Sequence, residues 1–298
     1  MKFRGMLGVE VNELDILNRV IRVTSTGIEF EADPKHARLL IESLGLSGRS
    51  NGVTTPGEHS KSQPGDEEKL PDGDRTYYRS LTMRAAYLSL DRPDIAFAVK
   101  ELARGMAEPT VGDLRALRRL GRFLIREPTL VQYFAWQTIP NVLTAECDSD
   151  FAGCRQSRKS TSGFVAMLGK HCIGTKCRHQ SSIALSSGEA EFYASVSAIS
   201  RAIGLKQLLG DWSIPVSISL GMDATAAISM QTREGLGKAK HIHVQYLWAQ
   251  AALGPWEISL VKVKTTANRA DLLTKHLARA TVENLVKRLN YDWPKKSG

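Results

Sequence analysis

The chain has 298 residues, of which 42% are hydrophobic and 24% are charged, values typical of a soluble globular protein with room for two domains. Lysine and arginine outnumber aspartate and glutamate by 40 to 31, and the net charge of +9 favours a polyanionic partner. We find no apolar run of transmembrane length and no signal peptide, which argues against a membrane protein and against secretion.

The first 139 residues fall into three stretches of different composition. Residues 1–46 alternate like two β-strands, with a turn at residues 25–27, and then predict a helix that begins at Pro34 and is closed by Gly45. Residues 47–76 are rich in glycine, proline, serine and charged residues, which predicts a mobile linker. Residues 77–139 predict three helices, near Tyr77–Leu90, Pro93–Met106 and Val111–Arg126.

The third of these helices has an arginine-rich face beside an apolar one. The basic residues on it are Arg115, Arg118, Arg119, Arg122 and Arg126. Two interpretations stay open: a solvated surface, or a surface that contacts phosphates, for which we select Arg115, Arg119 and Arg122.

From residue 140 to residue 290 the pattern alternates between strands and helices. Three strands, NVLTAECDSDFAG, TSGFVAMLG and KHCIGTKCR, precede a long helix that begins after Ser186. A strand at Val216–Met222, a helix from Ala224, a helix near Ile242–Leu253, a strand at Trp256–Lys264 and a helix from Ala267 follow. This order predicts a mixed sheet with helices on its faces. The four cysteines lack the spacing of a zinc knuckle, so reduced thiols are favoured over zinc.

Four acidic residues lie on four separate elements of this half. Asp148 ends the first strand, Glu191 lies in the first turns of the long helix, Asp223 ends the fourth strand and Asp271 lies in the last helix. If they meet at one edge of the sheet, their mutual repulsion requires cations. Because all the donors are oxygens, Mg²⁺ or Mn²⁺ is the expected ion.

Two glutamates near the start of the long helix compete for the role of ligand. Glu191 shares its side of the helix with small residues such as Ala194 and Ala198, which predicts a close approach to the sheet. Glu189 shares its side with Gln207, so we expect it to face solvent and to complete a capping box with Ser186.

Residues 141–277 contain, in order, the stretches ECDSDFAGCRQSRKSTSGFVAMLG, ALSSGEAEFYAS, MDATAAI, KHIHVQYLW and ANRADLLTKHL. With these stretches the segment resembles the ribonuclease H domain of copia-type retrotransposon Pol polyproteins. Upstream, KFRGMLGVEV resembles the late palm strand of the reverse transcriptase, and YYRSLTMRAAYLSLDRPDIAFAVKELARGM resembles the segment that joins polymerase to ribonuclease H.

The resemblance implies an α/β fold in which a ribonuclease H-like mixed five-stranded sheet with flanking helices follows a smaller α+β reverse-transcriptase remnant. It divides the chain into a palm remnant (residues 1–46), a linker (47–76), a helical thumb or connection segment (77–139) and a ribonuclease H-like domain (140–290).

The resemblance also implies an endonuclease that hydrolyses the RNA strand of RNA–DNA hybrids with two Mg²⁺ or Mn²⁺ ions. Its catalytic metal ligands would be Asp148, Glu191, Asp223 and Asp271, and charge and location select Arg155, Arg158, Lys159, Lys176 and Arg178 for contacts with the nucleic-acid backbone. The alternative is a catalytically inactive nucleic-acid-binding remnant of a retrotransposon.

The polymerase fingers, most of the palm and its paired-aspartate strand are absent from this sequence, so we expect no polymerase activity from it. The missing polymerase portion is then a candidate partner, besides the hybrid. We expect the protein in cytoplasmic virus-like particles or in the nucleus, without a membrane.

Overall fold

The computed structural model describes residues 7–9, 11–46, 50–58, 63–154, 156–235, 237 and 241–294. The strands are β1 (Glu13–Ile16), β2 (Arg19–Val23), β3 (Gly27–Glu31), β4 (Val131–Ala135), β5 (Val142–Ser149), β6 (Thr161–Leu168), β7 (His171–His179), β8 (Ser217–Met222), β9 (Ile258–Lys262) and β10 (Tyr291–Asp292). The helices are α1 (Pro34–Ser43), α2 (Asp72–Leu88), α3 (Pro93–Arg104), α4 (Val111–Arg126), α5 (Ser187–Asp211), α6 (Thr225–Thr232), α7 (Trp248–Ala252) and α8 (Arg279–Arg288). In the described residues no helix is both long enough and apolar enough to span a membrane.

The chain divides into two compact units, one formed by residues 1–136 together with 276–298 and the other by residues 137–275. The first unit contains an antiparallel sheet in the order β1-β2-β3-β4-β10. Its helices bury Tyr78, Leu120, Phe123 and Val286 almost completely. The predicted ribonuclease H-like domain extends to residue 290, whereas α8 and β10 lie in the first unit, because Val286 and its apolar neighbours are buried there.

The predicted linker at residues 47–76 is packed against α4 in the part that the structure describes. Arg115 pairs with Asp66, and Arg119 contacts Thr55 and Glu58, each at 2.9 Å. In addition α2 begins at Asp72, inside the predicted linker. These contacts are ion pairs and hydrogen bonds, so the segment is rich in polar and charged residues. That composition is also typical of a mobile linker, which is why the sequence predicts one.

The second unit contains a mixed five-stranded sheet in the order β7-β6-β5-β8-β9. Strands β5, β6 and β7 pair antiparallel, and a tight turn with Gly169 at φ +60° joins β6 to β7. Strand β8 pairs parallel to both β5 and β9. For most strands of the second unit, both ends lie within two residues of the predicted ones. The prediction succeeds because each strand is a short apolar run bounded by turn residues.

Two predicted helices of the second unit are shorter than expected. The stretch near Ile242–Leu253 forms a 3₁₀ turn at Val244–Tyr246 and then α7. The helix expected from Ala267 is replaced by 3₁₀ turns at Thr265–Ala267 and Arg269–Leu273. Asn268 explains the second case, because its side chain accepts from the Ala270 N–H and donates to the Cys147 carbonyl, which competes with a regular helix.

Candidate metal centre

Parallel pairing places two of the predicted acids at one edge of the sheet. In the register of β5 and β8, Glu146 lies opposite Gly221, so Asp148 and Asp223 each follow two residues later at the carboxyl ends of adjacent strands. Asp148 is only 2% exposed. This edge is where open sheets with parallel strands carry their ligand sites.

Helix α5 brings the third acid, Glu191, to the same edge. Ala194 and Ala198, on the same side of the helix as Glu191, are each 1% exposed, which agrees with the predicted close packing on the sheet. The Ser149 N–H donates to Glu191 Oε1 at 3.2 Å. The Gln180 amide holds the first turn of the helix near β5, because it donates to the Ala190 carbonyl at 2.8 Å and to Ser149 Oγ at 3.1 Å.

Asp148, Glu191 and Asp223 form a compact carboxylate cluster whose ligand atoms lie within 4.8 Å of one another. Burial, together with the charges of Asp148 and Asp223, raises the pKa of Glu191 to about 9. Without a cation the cluster therefore holds a proton at neutral pH, since three carboxylates at this separation repel one another.

The cluster fits a hard divalent cation. All of its donors are carboxylate oxygens, the ligands that Mg²⁺ and Mn²⁺ prefer. Glu191 Oε2 is buried and has no hydrogen-bond partner among the described residues, so its lone pairs are not compensated within the protein. A bound cation would satisfy this oxygen and remove the repulsion that raises the pKa of Glu191.

The fourth predicted acid, Asp271, lies beside this cluster and is linked to it by a lysine. Lys275 Nζ lies 2.9 Å from Asp271 Oδ1 and 3.4 Å from Asp148 Oδ2. Thr274 Oγ1 also donates to Asp148 Oδ2. Burial and the nearby charge of Asp148 raise the pKa of Asp271 to about 6, although Lys275 opposes this shift.

Thr274 and Lys275 carry no distinctive motif in the sequence. The spacing of Asp271 and Lys275, four residues apart with opposite charge, is the available signal, but it is common on solvated helices. Their contacts with Asp148, from Thr274 Oγ1 and Lys275 Nζ, are seen only in the tertiary structure.

Glu189 does not face solvent as predicted; it is 3% exposed. Ser186 accepts from the Glu189 N–H, which is the first half of the expected capping box, but the Glu189 carboxylate accepts from the Leu185 N–H, from Tyr193 and from His241 instead. Burial would raise the pKa of Glu189, yet the hydrogen bonds from His241, Tyr193 and Leu185 outweigh burial and lower it. Glu189 thus fixes the start of α5, and His241, 52 residues away, contributes to this.

The residues selected for nucleic-acid contacts have different environments. Lys176, Arg178 and Arg158 are exposed, and Lys159 is half-buried, whereas Arg155 lies outside the described residues. On α4, Arg115 and Arg119 bind Asp66, Thr55 and Glu58, and Arg122 donates to the Asn51 carbonyl at 2.9 Å. Arg115, Arg119 and Arg122 are therefore each bound by residues between Asn51 and Asp66 of the same chain, and their contact with phosphates stays a prediction.

Known proteins show similarity over most of the chain. The retrovirus-related Pol polyprotein from transposon RE1 of Arabidopsis thaliana is 29% identical over 255 residues, which cover 83% of this chain and 17% of that polyprotein. The Pol polyprotein from transposon TNT 1-94 of Nicotiana tabacum is 28% identical over 194 residues, covering 64% of this chain and 14% of the polyprotein. The secreted RxLR effector protein 161 of Plasmopara viticola is 34% identical over 129 residues, which cover 43% of this chain and 90% of the effector.

Among solved structures, the foamy viral protease-reverse transcriptase in complex with dsDNA superposes with a TM-score of 0.50 and 11% identity, over 86% of this chain and 45% of that chain. At this identity the likeness concerns the fold alone. No protein-family model matches the chain. The chain spans about a sixth of the length of the two transposon polyproteins described above. Its mixed five-stranded sheet, and these relatives aligned along most of its length, make the chain a homologue of the retrovirus-related Pol polyproteins of copia-type transposons.

Proposed function

We propose that the chain is a ribonuclease H-type endonuclease that hydrolyses the RNA strand of RNA–DNA hybrids as part of a copia-type retrotransposon polyprotein. The observation that carries this proposal is the convergence of Asp148, Glu191 and Asp223, from β5, α5 and the end of β8, within 4.8 Å. Relatives that are Pol polyproteins support the same class of activity.

Each of the four acids has a role in the proposed site. Two divalent ions, Mg²⁺ or Mn²⁺, supply an activated water and stabilise the leaving oxygen when they are bound. Asp148 and Asp223, at the strand ends, would contribute to holding both ions, Glu191 would bind one of them, and Asp271 would hold the second. Glu191 would also position the 2′-hydroxyl, the group that distinguishes RNA from DNA.

The proposed substrate contacts are basic residues of the second unit. Arg158, Lys159, Lys176 and Arg178 would neutralise backbone phosphates, together with Arg155. We further propose that the polymerase portion of the polyprotein is a partner, and that the protein acts in cytoplasmic virus-like particles or in the nucleus.

The test is cleavage of a labelled RNA–DNA hybrid by the full chain with and without Mg²⁺. We expect cutting of the RNA strand that Asp148→Asn or Asp223→Asn abolishes, while the circular dichroism spectrum stays that of the wild type. Asp211→Asn, at the exposed end of α5, is the matched control and should retain activity. Full activity in either active-site variant would refute the assignment, and hybrid binding without cleavage by the wild type would favour an inactive binding remnant.

A further inference from the structure

A cation that belongs to the protein itself lies among the acids of the candidate metal centre. The Lys275 ammonium bridges Asp271 Oδ1 at 2.9 Å and Asp148 Oδ2 at 3.4 Å. Its side chain is 36% exposed, whereas those of Asp148 and Asp271 are 3% and 13% exposed. An ion pair with such buried acids is screened much less by solvent than an ordinary surface pair.

The segment that precedes Lys275 is clamped to the sheet, so the position of the ammonium is built into the fold. Asn268 Nδ2 donates to the Cys147 carbonyl at 2.9 Å, and Arg269 forms a two-pronged pair with Glu146 at 2.7 and 3.0 Å. The backbone also passes close to β6: a Cβ atom on Gly163 would lie 2.8 Å from the Ala270 carbonyl oxygen. These contacts anchor the segment to β5, which carries Asp148, and to its neighbour β6.

The four acids consequently fall into two groups around Asp148. On one side Asp148 meets Glu191 and Asp223 within 4.8 Å, and neither Glu191 nor Asp223 forms an ion pair with another described residue. On the other side Asp148 shares Lys275 with Asp271. The side of Glu191 and Asp223 is thus open to a metal ion, whereas the side of Asp271 already contains a positive charge.

We propose that Lys275 occupies the place of a second cation between Asp148 and Asp271. The chain then binds one divalent ion first, at Asp148, Glu191 and Asp223. A second ion binds only when the ammonium is displaced. This inference rests on the metal-binding part of the proposed function. It makes Lys275 a positioning residue that determines the order and affinity of metal binding. The driving force is electrostatic, because a divalent ion and an ammonium at ion-pair distance from the same two carboxylates repel each other.

The experiment measures Mn²⁺ binding to the full chain without nucleic acid, by the electron paramagnetic resonance signal of free Mn²⁺. We expect wild type to bind one ion tightly and a second one weakly. In Lys275→Met the second ion should bind at least about tenfold more tightly, because the competing charge is removed. Lys275→Arg should behave like wild type, and Lys170→Met, in the exposed β6–β7 turn, is the matched control.

Thermal unfolding in EDTA gives a second readout. Lys275→Met should unfold at a lower midpoint temperature than wild type, and excess Mn²⁺ should raise its midpoint more than that of wild type. Lys275→Gln serves as a second variant that keeps a hydrogen-bonding group between the carboxylates. Equal numbers of ions with equal affinities in wild type and both variants would overturn this inference alone. Failure of all these proteins, wild type included, to bind Mn²⁺ would overturn it together with the proposed metal-dependent nuclease.

Discussion

Replacement of Glu191 by glutamine should remove a pH dependence from the stability of the metal-free protein. Burial and the charges of Asp148 and Asp223 raise the pKa of Glu191 to about 9, from its ordinary value of 4.5. Between these two values the folded state keeps a proton that the unfolded state has released. The contribution of this group to stability is therefore complete below pH 4.5 and is lost progressively as the pH rises toward 9.

The magnitude follows from the linkage relation. One pH unit within this window corresponds to about 1.4 kcal/mol for one group, so Glu191 should lower the free energy of unfolding by about 2–3 kcal/mol between about pH 5.5 and about pH 7.5. The Glu191→Gln variant carries a neutral amide at both pH values and does not show this decrease. Asp271, whose pKa is also raised, titrates in both proteins. Its contribution to the pH dependence of the free energy of unfolding therefore cancels to first order when the two proteins are compared.

The assay is urea unfolding in EDTA at the two pH values, for wild type, Glu191→Gln and the control Glu234→Gln, whose carboxylate is exposed. Saturating Mn²⁺ should abolish the difference between pH values in the wild type, because the ion holds the carboxylate ionised and its binding releases the proton. If the free energies of unfolding of metal-free wild type and Glu191→Gln decrease equally between the two pH values, the crowding of the three carboxylates does not perturb Glu191 and the reasoning is refuted.

Three further outcomes are expected from other parts of the structure. Glu189→Gln should lower the free energy of unfolding by about 1–3 kcal/mol, because the Glu189 carboxylate accepts three hydrogen bonds, and it should leave Mn²⁺ binding intact. Urea unfolding measures the first effect and a Mn²⁺ titration the second. Unchanged stability would contradict the structural role of the buried carboxylate. Arg92→Ala should cost about 3–5 kcal/mol in urea unfolding, because it leaves the fully buried Asp94 without its cation; a decrease below about 1 kcal/mol would show that the pair is dispensable. The affinity for the hybrid, measured between about 50 and 200 mM salt, should fall less steeply with salt in Lys176→Gln and in Arg178→Gln than in the wild type. The slope of log affinity against log salt concentration should change by up to about 0.9 for each phosphate that the variant no longer neutralises. Arg115→Gln should leave this slope unchanged, because Arg115 is paired with Asp66.

The sheet of the second unit can be predicted because local signals agree with the tertiary structure. β5 and β8 are short apolar runs with an acid at or just after their ends, and their parallel pairing brings Asp148 and Asp223 to the same edge. The orientation of α5 follows from its small residues, which place Glu191 on the sheet side. The burial of Glu189 is not predictable, because its partner His241 is distant in sequence and the pairing depends on the turns that precede α7.

The less predictable parts depend on partners that no local pattern reveals. β4 lies between two prolines and β10 has two residues, so neither shows a usable alternation, yet each pairs with a distant strand. Thr55, Glu58 and Asp66 lie in a segment with the composition of a linker but are held by arginines of α4. The contact of Lys275 with Asp148, 127 residues earlier in the chain, likewise depends on tertiary structure that the local sequence does not reveal.

The return of α8 and β10 to the first unit has a consequence for how the protein is made. The first unit is assembled from two chain segments, and its core includes Val286 and Leu289, both fully buried. During synthesis residues 137–275 of the second unit leave the ribosome as one continuous segment, whereas the first unit waits for residues 276–294. The unit that contains the earlier chain segment is thus completed after the unit that follows it, and until β10 is available one edge of β4 stays unpaired and open to pairing with another strand.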